Sequence, residues 1–238
     1  MEPWERLATA TAPDGQPLEL RRRGAEYRIR AGRHELMSSD DESSSRAVAE
    51  LGCAHIAAGG AARVLVGGLG MGYTLRAALD LVGSRATVEV AELVPEVVTW
   101  NEGPLGPLAA NPLRDPRTEL HLGDVRTRIR AGRDVYDAIL LDVDNGPIAV
   151  AHAANDALYG DRGIAESWAA LRPGGVLGVW SLLDDARYTA RLRRRGFAVE
   201  VHRVFGSRKG RGREHVIWIA RRAETRSRRP STKGRGRR

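Results

Sequence analysis

A short apolar run that leads through a glycine-rich turn into a helical stretch constrains the fold of this chain more than any other feature. The segment reads Val64-Leu-Val-Gly-Gly-Leu-Gly-Met-Gly-Tyr, and helical periodicity continues over residues 74–81. In an open α/β sheet, such a turn lets a ligand approach bare backbone at the amino end of a helix. The segment predicts a buried strand followed by a helix, with Gly68, Gly70 and Gly72 at a binding edge. A tight turn that serves packing alone is the alternative.

Beyond residue 63, apolar strands alternate with amphipathic helices. The predicted strands are residues 64–66, 87–91, 118–122, 136–142 and 175–180. Two further strands, 198–204 and 215–220, close this part as an antiparallel hairpin at one edge. The alternation is typical of an α/β fold in which helices cover both faces of a mostly parallel sheet.

The N-terminal part follows a different pattern. Residues 18–21 and 27–31 alternate apolar and polar side chains around a turn at Gly24, which is typical of a half-exposed β-hairpin. Residues 34–38 suggest a third short strand. The sequence therefore predicts a small β-hairpin domain at 1–45, a Rossmann-like α/β domain at 46–220 and a tail at 221–238.

The positive charge of the chain is concentrated in that tail. The whole chain has a net charge of +8, and residues 221–238 alone contain nine basic residues and one acidic residue. The rest of the chain is therefore neutral overall, which argues against a basic nucleic-acid-binding fold. The tail has almost no apolar side chains, so we expect it to be disordered and to act as a solubilising or weakly nucleic-acid-tethering segment.

Several classes of protein are excluded by composition. A single cysteine, Cys53, rules out a disulfide framework and a multi-cysteine zinc site, and we expect no metal. The longest stretches without a charged residue are 12 residues, whereas a membrane-spanning helix needs about 20 apolar residues. The N-terminus has neither the basic start nor the apolar run of a signal peptide. We expect a soluble cytoplasmic protein with no membrane contact.

Three acidic residues stand where predicted strands end. Glu92 lies 20 residues after Gly72, Asp124 follows the third strand, and Asp142 ends the fourth. The carboxyl ends of parallel strands line the ligand crevice of an open sheet, and an acid at the position of Glu92 can accept hydrogen bonds from ribose hydroxyls. Together with the glycines, these residues predict a nucleoside site without a pyrophosphate grip. Solvated strand-end acids or helix caps are the alternatives.

Aromatic and histidine residues give a weaker signal. Tyr73, Tyr159 and Trp180 are candidates for lining a pocket, but aromatic residues near a sheet belong more often to the core. His55, His121, His152 and His215 are scattered without the spacing of metal ligands, so none of them predicts a site.

Four segments of the chain resemble those of a known enzyme family. The glycine segment, Ala91-Glu92-Leu-Val-Pro-Glu, Gly123-Asp124 and Leu171-Arg-Pro-Gly-Gly-Val-Leu resemble the class I S-adenosylmethionine-dependent transferases, and among them spermidine synthase, the polyamine aminopropyltransferase. The resemblance covers about residues 15–182. It implies a sulfonium nucleoside cosubstrate, S-adenosylmethionine or its decarboxylated form, with Glu92 on the ribose, Asp124 on the adenine amino group and Asp142 on the amine nucleophile. It also suggests a homodimer formed through the N-terminal hairpin.

The acceptor half of the site departs from that family. Spermidine synthases read Gly-Gly-Gly-Asp-Gly-Gly in the glycine turn, and Met71 stands at the place of the Asp that binds the aminopropyl nitrogen. Their Asp-Glu-x-x-Tyr-His-Glu segment becomes Asp41-Glu42-Ser-Ser-Ser-Arg-Ala, which keeps only the first two residues. Their Asp-Ser-Ser-Asp-Pro-x-Gly-Pro loop becomes the shorter Asp142-Val-Asp144-Asn145-Gly-Pro.

Three functions follow from this pattern. The first is a spermidine synthase-like alkyl (aminopropyl) transfer to an amine acceptor, with Asp142 and Asp144 as the catalytic candidates. The second is methyl transfer to a small molecule or an RNA, which Met71 favours. The third is a nucleoside-binding protein without catalytic activity.

Overall fold

The structure is a computed structural model, and it describes residues 2–12, 15–57, 59–143, 157–206 and 213–224. Its helices alternate with strands through the larger part of the chain, as the sequence predicts. The helices are α1 (Glu42–Cys53), α2 (Tyr73–Leu81), α3 (Pro95–Glu102), α4 (Val125–Ala131), α5 (Asp161–Ala170) and α6 (Ala186–Arg195), with short 3-10 helices at Gly106–Ala109 and Pro112–Arg114.

The larger sheet has seven strands in the order β10-β11-β9-β8-β5-β6-β7. Its strands are β5 (Arg63–Gly67), β6 (Thr87–Glu92), β7 (Thr118–Leu122), β8 (Tyr136–Leu141), β9 (Leu171–Ser181), β10 (Ala198–Phe205) and β11 (Glu214–Arg221). The strands β5 to β9 pair in parallel, whereas β11 runs antiparallel to both β9 and β10. The α/β fold class and the antiparallel edge hairpin are confirmed.

Helices pack on both faces of this sheet. The inner strand β5 directs Val64 and Val66 into one hydrophobic core and Leu65 into the other, because successive side chains of a strand point to opposite faces. All three are fully buried. A strand with two buried faces reads as a continuous apolar run, which explains why this segment dominates the sequence pattern.

The N-terminal sheet has four antiparallel strands in sequential order, one more than the sequence suggested. They are β1 (Glu5–Thr11), β2 (Pro17–Arg23), β3 (Glu26–Ala31) and β4 (His34–Ser38). The sequence does not predict strand β1, because Ala10 is its one buried residue. The strand therefore carries little alternation of apolar and polar side chains. Leu18, Leu20 and Ile29 connect this sheet to the main core.

The last strand leads directly into the segment that the sequence assigns to the tail. β11 continues to Arg221, and Arg222 then donates hydrogen bonds to the Asp134 carboxylate, at 2.5 Å, and to the Trp168 carbonyl, at 2.9 Å. Residues 225–238, for which we predicted disorder, lie outside the described residues. No helix in the described part of the chain is long and apolar enough to span a membrane.

A hydrogen-bonded cluster around the buried carboxylate of Glu89 connects β5, β6, β8 and α4 near the amino ends of these strands. The Glu89 carboxylate accepts hydrogen bonds from Arg63 Nε at 2.6 Å, Arg128 Nε at 2.9 Å and the Tyr136 hydroxyl at 3.0 Å. Burial alone raises the pKa of Glu89, but the hydrogen bonds from Arg128 and Arg63 hold it below its ordinary value of 4.5. The cluster therefore stabilises the fold only while Glu89 is ionised.

Replacement of this buried carboxylate should weaken the fold strongly. We expect Glu89→Gln to lower the free energy of unfolding by about 3 kcal/mol at pH 7, because it leaves two guanidinium groups without their shared charge. Since the folded-state pKa of Glu89 is depressed, the wild-type advantage should disappear as the pH falls through that pKa. Urea denaturation at pH 7 and at a series of lower pH values measures both effects.

Glu119→Gln is the matched control. Glu119 also pairs with Arg63, at 2.9 Å, but its side chain is 56% exposed. We expect a change within about 0.5 kcal/mol, as is usual for an exposed pair. An equal loss in both variants would show that the Glu89 cluster is no more than a surface contact.

Candidate functional site

A cavity of about 730 Å³ lies at the carboxyl edge of the larger sheet. The ends of β5, β6 and β8 form its floor, and β4 of the N-terminal sheet forms the opposite wall. The cavity therefore lies between the two sheets, at the edge where an open α/β sheet binds its ligand. Gly68, Gly70, Glu92, Asp124 and Asp142 all line it.

The glycine turn is shaped by contacts that leave no room for side chains. Gly68 and Gly70 have φ angles of 86° and 51°, in the left-handed region. A Cβ atom on Gly68 would lie 2.4 Å from the Asp142 carbonyl oxygen, and one on Gly70 would lie 2.5 Å from Met37 Sδ. Gly72 precedes α2 as its N-cap and does not line the cavity. Two of the three glycines predicted at the binding edge therefore contribute to its surface directly.

Glu92 is a buried carboxylate, 9% exposed, at the end of β6. One of its oxygens accepts a hydrogen bond from Leu69 N and the other from Val94 N, both at 2.9 Å. Burial raises its pKa, although the backbone N–H groups act in the opposite direction. The backbone N–H groups of Leu93 and Gly70 also lower its pKa, so the carboxylate holds the glycine turn through several donors and a hydroxyl in the cavity would share its oxygens with them.

Asp124 combines a local structural role with a place in the cavity. It is the N-cap of α4, and its Oδ1 accepts a hydrogen bond from Arg126 N at 2.8 Å. The cap occupies one of the carboxylate oxygens, so Asp124 retains capacity to accept from a donor group such as an amino group.

Asp142 leaves the central strand β8 beside the glycine turn. Its Oδ2 lies 2.6 Å from Thr74 Oγ1, which is also 3.0 Å from the Ser45 carbonyl oxygen. Burial raises the pKa of Asp142, and the hydroxyl groups of Thr74 and Ser45 partly offset that effect. A carboxylate with a raised pKa in a cavity is suited to accept a proton from a bound amine.

Met71 gives the adjoining wall an apolar character. Its side chain is fully buried and lines the cavity together with Met37, which reaches over from β4. A thioether is a weak acceptor and cannot pair with an ammonium group as a carboxylate does. The substitution seen in the sequence therefore changes the chemistry of the cavity surface itself.

The cavity is also lined by Trp180, which the sequence suggested as a pocket candidate, and by Arg213 and His215, to which the sequence assigned no role. Trp180 is the last residue but one of β9, Arg213 directly precedes β11, and His215 is the second residue of β11. Because β11 runs antiparallel, with Val216 opposite Ser181, its amino end lies at the carboxyl edge of the parallel strands. The predicted antiparallel hairpin already implies that one of its two strands begins at the carboxyl edge of the parallel strands.

The remaining candidates from the sequence are divided among the core, the cavity and the part of the chain outside the described residues. Tyr159 packs edge-to-face against Tyr188, with ring centroids 5.9 Å apart, in the second hydrophobic core. Tyr73 is buried beside the cavity and lines it. Asp144, the second catalytic candidate, and Asn145 lie outside the described residues. Among the described residues, no group of three or more His, Cys, Asp or Glu side chains has an arrangement that could hold a metal ion.

Comparison with known proteins gives matches at the level of structure alone. No family model and no curated protein sequence matches the chain. The spermidine synthase of Thermotoga maritima superposes with a TM-score of 0.70 at 17% identity, over 92% of this chain and 74% of that chain. A spermidine synthase in complex with the transition state analogue AdoDATO gives a TM-score of 0.69 at 16% identity, over 92% and 73%.

A probable spermidine synthase from Corynebacterium glutamicum gives a TM-score of 0.62 at 19% identity, over 95% of this chain and 84% of that chain. Identities in this range establish the fold and not the reaction. The matches cover both the N-terminal sheet and the larger sheet. The chain therefore has a spermidine synthase-like fold.

Proposed function

We propose that this protein is a spermidine synthase-like transferase, which binds a sulfonium nucleoside and transfers an alkyl group, the aminopropyl group, to an amine acceptor. The observation that carries the proposal is the convergence of Glu92, Asp124 and Asp142 on one cavity of a spermidine synthase-like fold. The complex with AdoDATO supports a nucleoside derived from S-adenosylmethionine as the cosubstrate.

The floor of the cavity fits the nucleoside. Gly68 and Gly70 line the cavity with backbone, the Glu92 carboxylate in its lining can accept from ribose hydroxyls, and Asp124 can accept from an adenine amino group. Asp142 is adjacent to the glycine turn, because its backbone N–H donates to the Gly67 carbonyl at 3.0 Å. The proposed nucleoside and the proposed base are thus neighbours.

The reaction is an in-line displacement at a carbon attached to positively charged sulfur. Asp142 accepts a proton from the acceptor ammonium, and the amine lone pair then forms the new carbon–nitrogen bond. The carbon–sulfur bond breaks, and its electron pair stays on the sulfur, which becomes a neutral thioether. The protein contributes mainly alignment of the two reactants and this proton transfer. Asp144 remains a sequence-based candidate for shaping the acceptor side.

Methyl transfer is the second candidate, and the apolar wall of Met71 and Met37 favours it. In spermidine synthases the Asp at the place of Met71 binds the aminopropyl nitrogen, and a thioether cannot take over that role. A nucleoside-binding protein without catalysis is the third candidate. Dimerisation and contact of the basic tail with nucleic acid stay predictions from the sequence.

Loss of the Glu92 carboxylate should abolish most nucleoside binding. We expect Glu92→Ala to weaken the affinity for methylthioadenosine, measured by calorimetry, about tenfold or more, since hydrogen bonds to a charged group contribute about 1.5–3 kcal/mol. Glu96→Ala is the control, because Glu96 is exposed on the first turn of α3. Circular dichroism of both variants checks the fold. Unchanged affinity in a folded Glu92→Ala protein would show that this carboxylate only holds the glycine turn.

Asp142→Asn should separate turnover from binding. We expect the rate of methylthioadenosine release from decarboxylated S-adenosylmethionine and a primary amine to fall about a hundredfold or more, the usual range for loss of a general base. Methylthioadenosine affinity should stay within threefold of wild type, a margin on the order of 0.6 kcal/mol. Since burial raises the pKa of Asp142, the wild-type rate should decline as pH falls through that raised pKa.

The control for this variant is Asp80→Asn, which removes an exposed acid from the far end of α2. It should leave both rate and affinity unchanged. An unchanged rate in Asp142→Asn would remove Asp142 from the proposed mechanism.

A further inference from the structure

Two buried polar atoms on the acceptor side of the cavity have no hydrogen-bond partner within the described residues. They are the indole nitrogen Nε1 of Trp180 and Nδ1 of His215. The His215 side chain belongs to a residue that is 3% exposed, and its ring centroid lies 4.9 Å from that of Trp180 at an angle of 37°. Buried polar atoms are nearly always paired, so this pair marks a place where a ligand completes the hydrogen bonding.

Both rings line the cavity that contains Asp142. In the sheet, β9 and β11 follow β8 on the side away from the glycine turn and β6. Trp180 and His215 therefore belong to the half of the cavity that is opposite Glu92 and Asp124. A molecule that reaches Asp142 from this half meets them before it meets the nucleoside side.

Arg213 adds a positive charge to this place. Its side chain lines the same cavity and forms no ion pair with a described residue, whereas the nearby Arg203 pairs with Asp184 and Glu214 at 2.9 and 2.7 Å. Burial lowers the pKa of His215, the Asp41 carboxylate opposes this effect, and Arg213 acts in the same direction as burial. His215 is therefore neutral at pH 7, and the two charged groups that act on it, Asp41 and Arg213, both line the cavity.

The chemistry of these groups selects a particular partner. The indole N–H and the guanidinium are donors only, and neutral His215 can donate from Nδ1. An ammonium group can pair with Asp41, but it is also a donor only, so it leaves the indole N–H unsatisfied and is repelled by Arg213. A carboxylate accepts from all of them and pairs with Arg213 in the strongest class of hydrogen bond.

We propose that the acceptor is an amine that also bears a carboxylate, an amino acid rather than a simple diamine, and that Trp180, His215 and Arg213 bind this carboxylate while Asp142 faces the reacting amine. The inference rests on the proposed function and specifies its acceptor class.

Matched pairs of amines that differ by a single carboxylate test this assignment. The protein is saturated with methylthioadenosine and titrated calorimetrically with putrescine and ornithine, and then with cadaverine and lysine. We expect the carboxylated member of at least one pair to bind about tenfold or more tightly, as for a charge-assisted hydrogen bond. Equal binding within both pairs, or tighter binding of the diamines, would overturn the proposal.

Two substitutions locate the effect. Arg213→Gln should reduce the affinity for the preferred amino acid about tenfold and leave that for the matching diamine unchanged or increased. Trp180→Phe keeps the ring and removes the donor, so it should cost about threefold or more for the amino acid alone. Arg187→Gln is the control, since Arg187 is exposed on α6 outside the cavity. An equal loss for diamine and amino acid would indicate a packing role and contradict the assignment.

The carboxylate of S-adenosylmethionine is the other source of the same chemistry. If Arg213→Gln weakens binding of S-adenosylmethionine but not of its decarboxylated form, the carboxylate belongs to the nucleoside and the acceptor assignment is wrong. Failure of methylthioadenosine to bind the wild-type protein would instead refute the proposed function. The two failures are therefore distinguishable within one set of titrations.

Discussion

The contact between the glycine turn and the end of β8 is the constraint on which the site depends. Gly68 lies so close to the Asp142 carbonyl that a Cβ atom would approach it to 2.4 Å, and Asp142 N donates to the Gly67 carbonyl at 3.0 Å. Because two backbone segments touch here, only glycine fits. This contact places the turn that exposes backbone to a ligand directly beside the carboxylate that we propose as the base. Glu92 fixes the other side of the turn through Leu69 N.

The sequence predicted those parts of the fold whose signal is local. Strand β7 matches its prediction, and Glu92, Asp124 and Asp142 stand at strand ends because apolar runs stop there. Strand β1 carries no such signal, since its stability comes from pairing with β2 rather than from burial. The predicted edge hairpin indicates that one of its strands begins at the carboxyl edge, whereas the pairing of β11 with β9, which brings His215 beside Trp180, is not visible in any local pattern.

The distribution of charge is a second case in which the structure shows what a local sequence pattern does not. Composition assigns the net charge of +8 to the tail, and within the described body many arginines pair with acids, as Arg63 and Arg128 do with Glu89. Against that background, Arg33, Arg126 and Arg213 line the cavity without an ion pair to a described acid, and what distinguishes Arg213 is its position. Arg213 could be recognised only after the strands had placed it beside Trp180 and His215.

The two halves of the cavity thus differ in what they retain of the family pattern. The half that we propose for the nucleoside contains glycines and acids that resemble those of a spermidine synthase. The half that we propose for the acceptor contains the donor groups of Trp180, His215 and Arg213, and Met71 stands where that family has an Asp. Calorimetric comparison of S-adenosylmethionine with its decarboxylated form tests the central claim most directly. The account predicts that both bind in the cavity and that the decarboxylated form binds more tightly. Tighter binding of S-adenosylmethionine would contradict aminopropyl transfer, and binding of neither would contradict the nucleoside site itself.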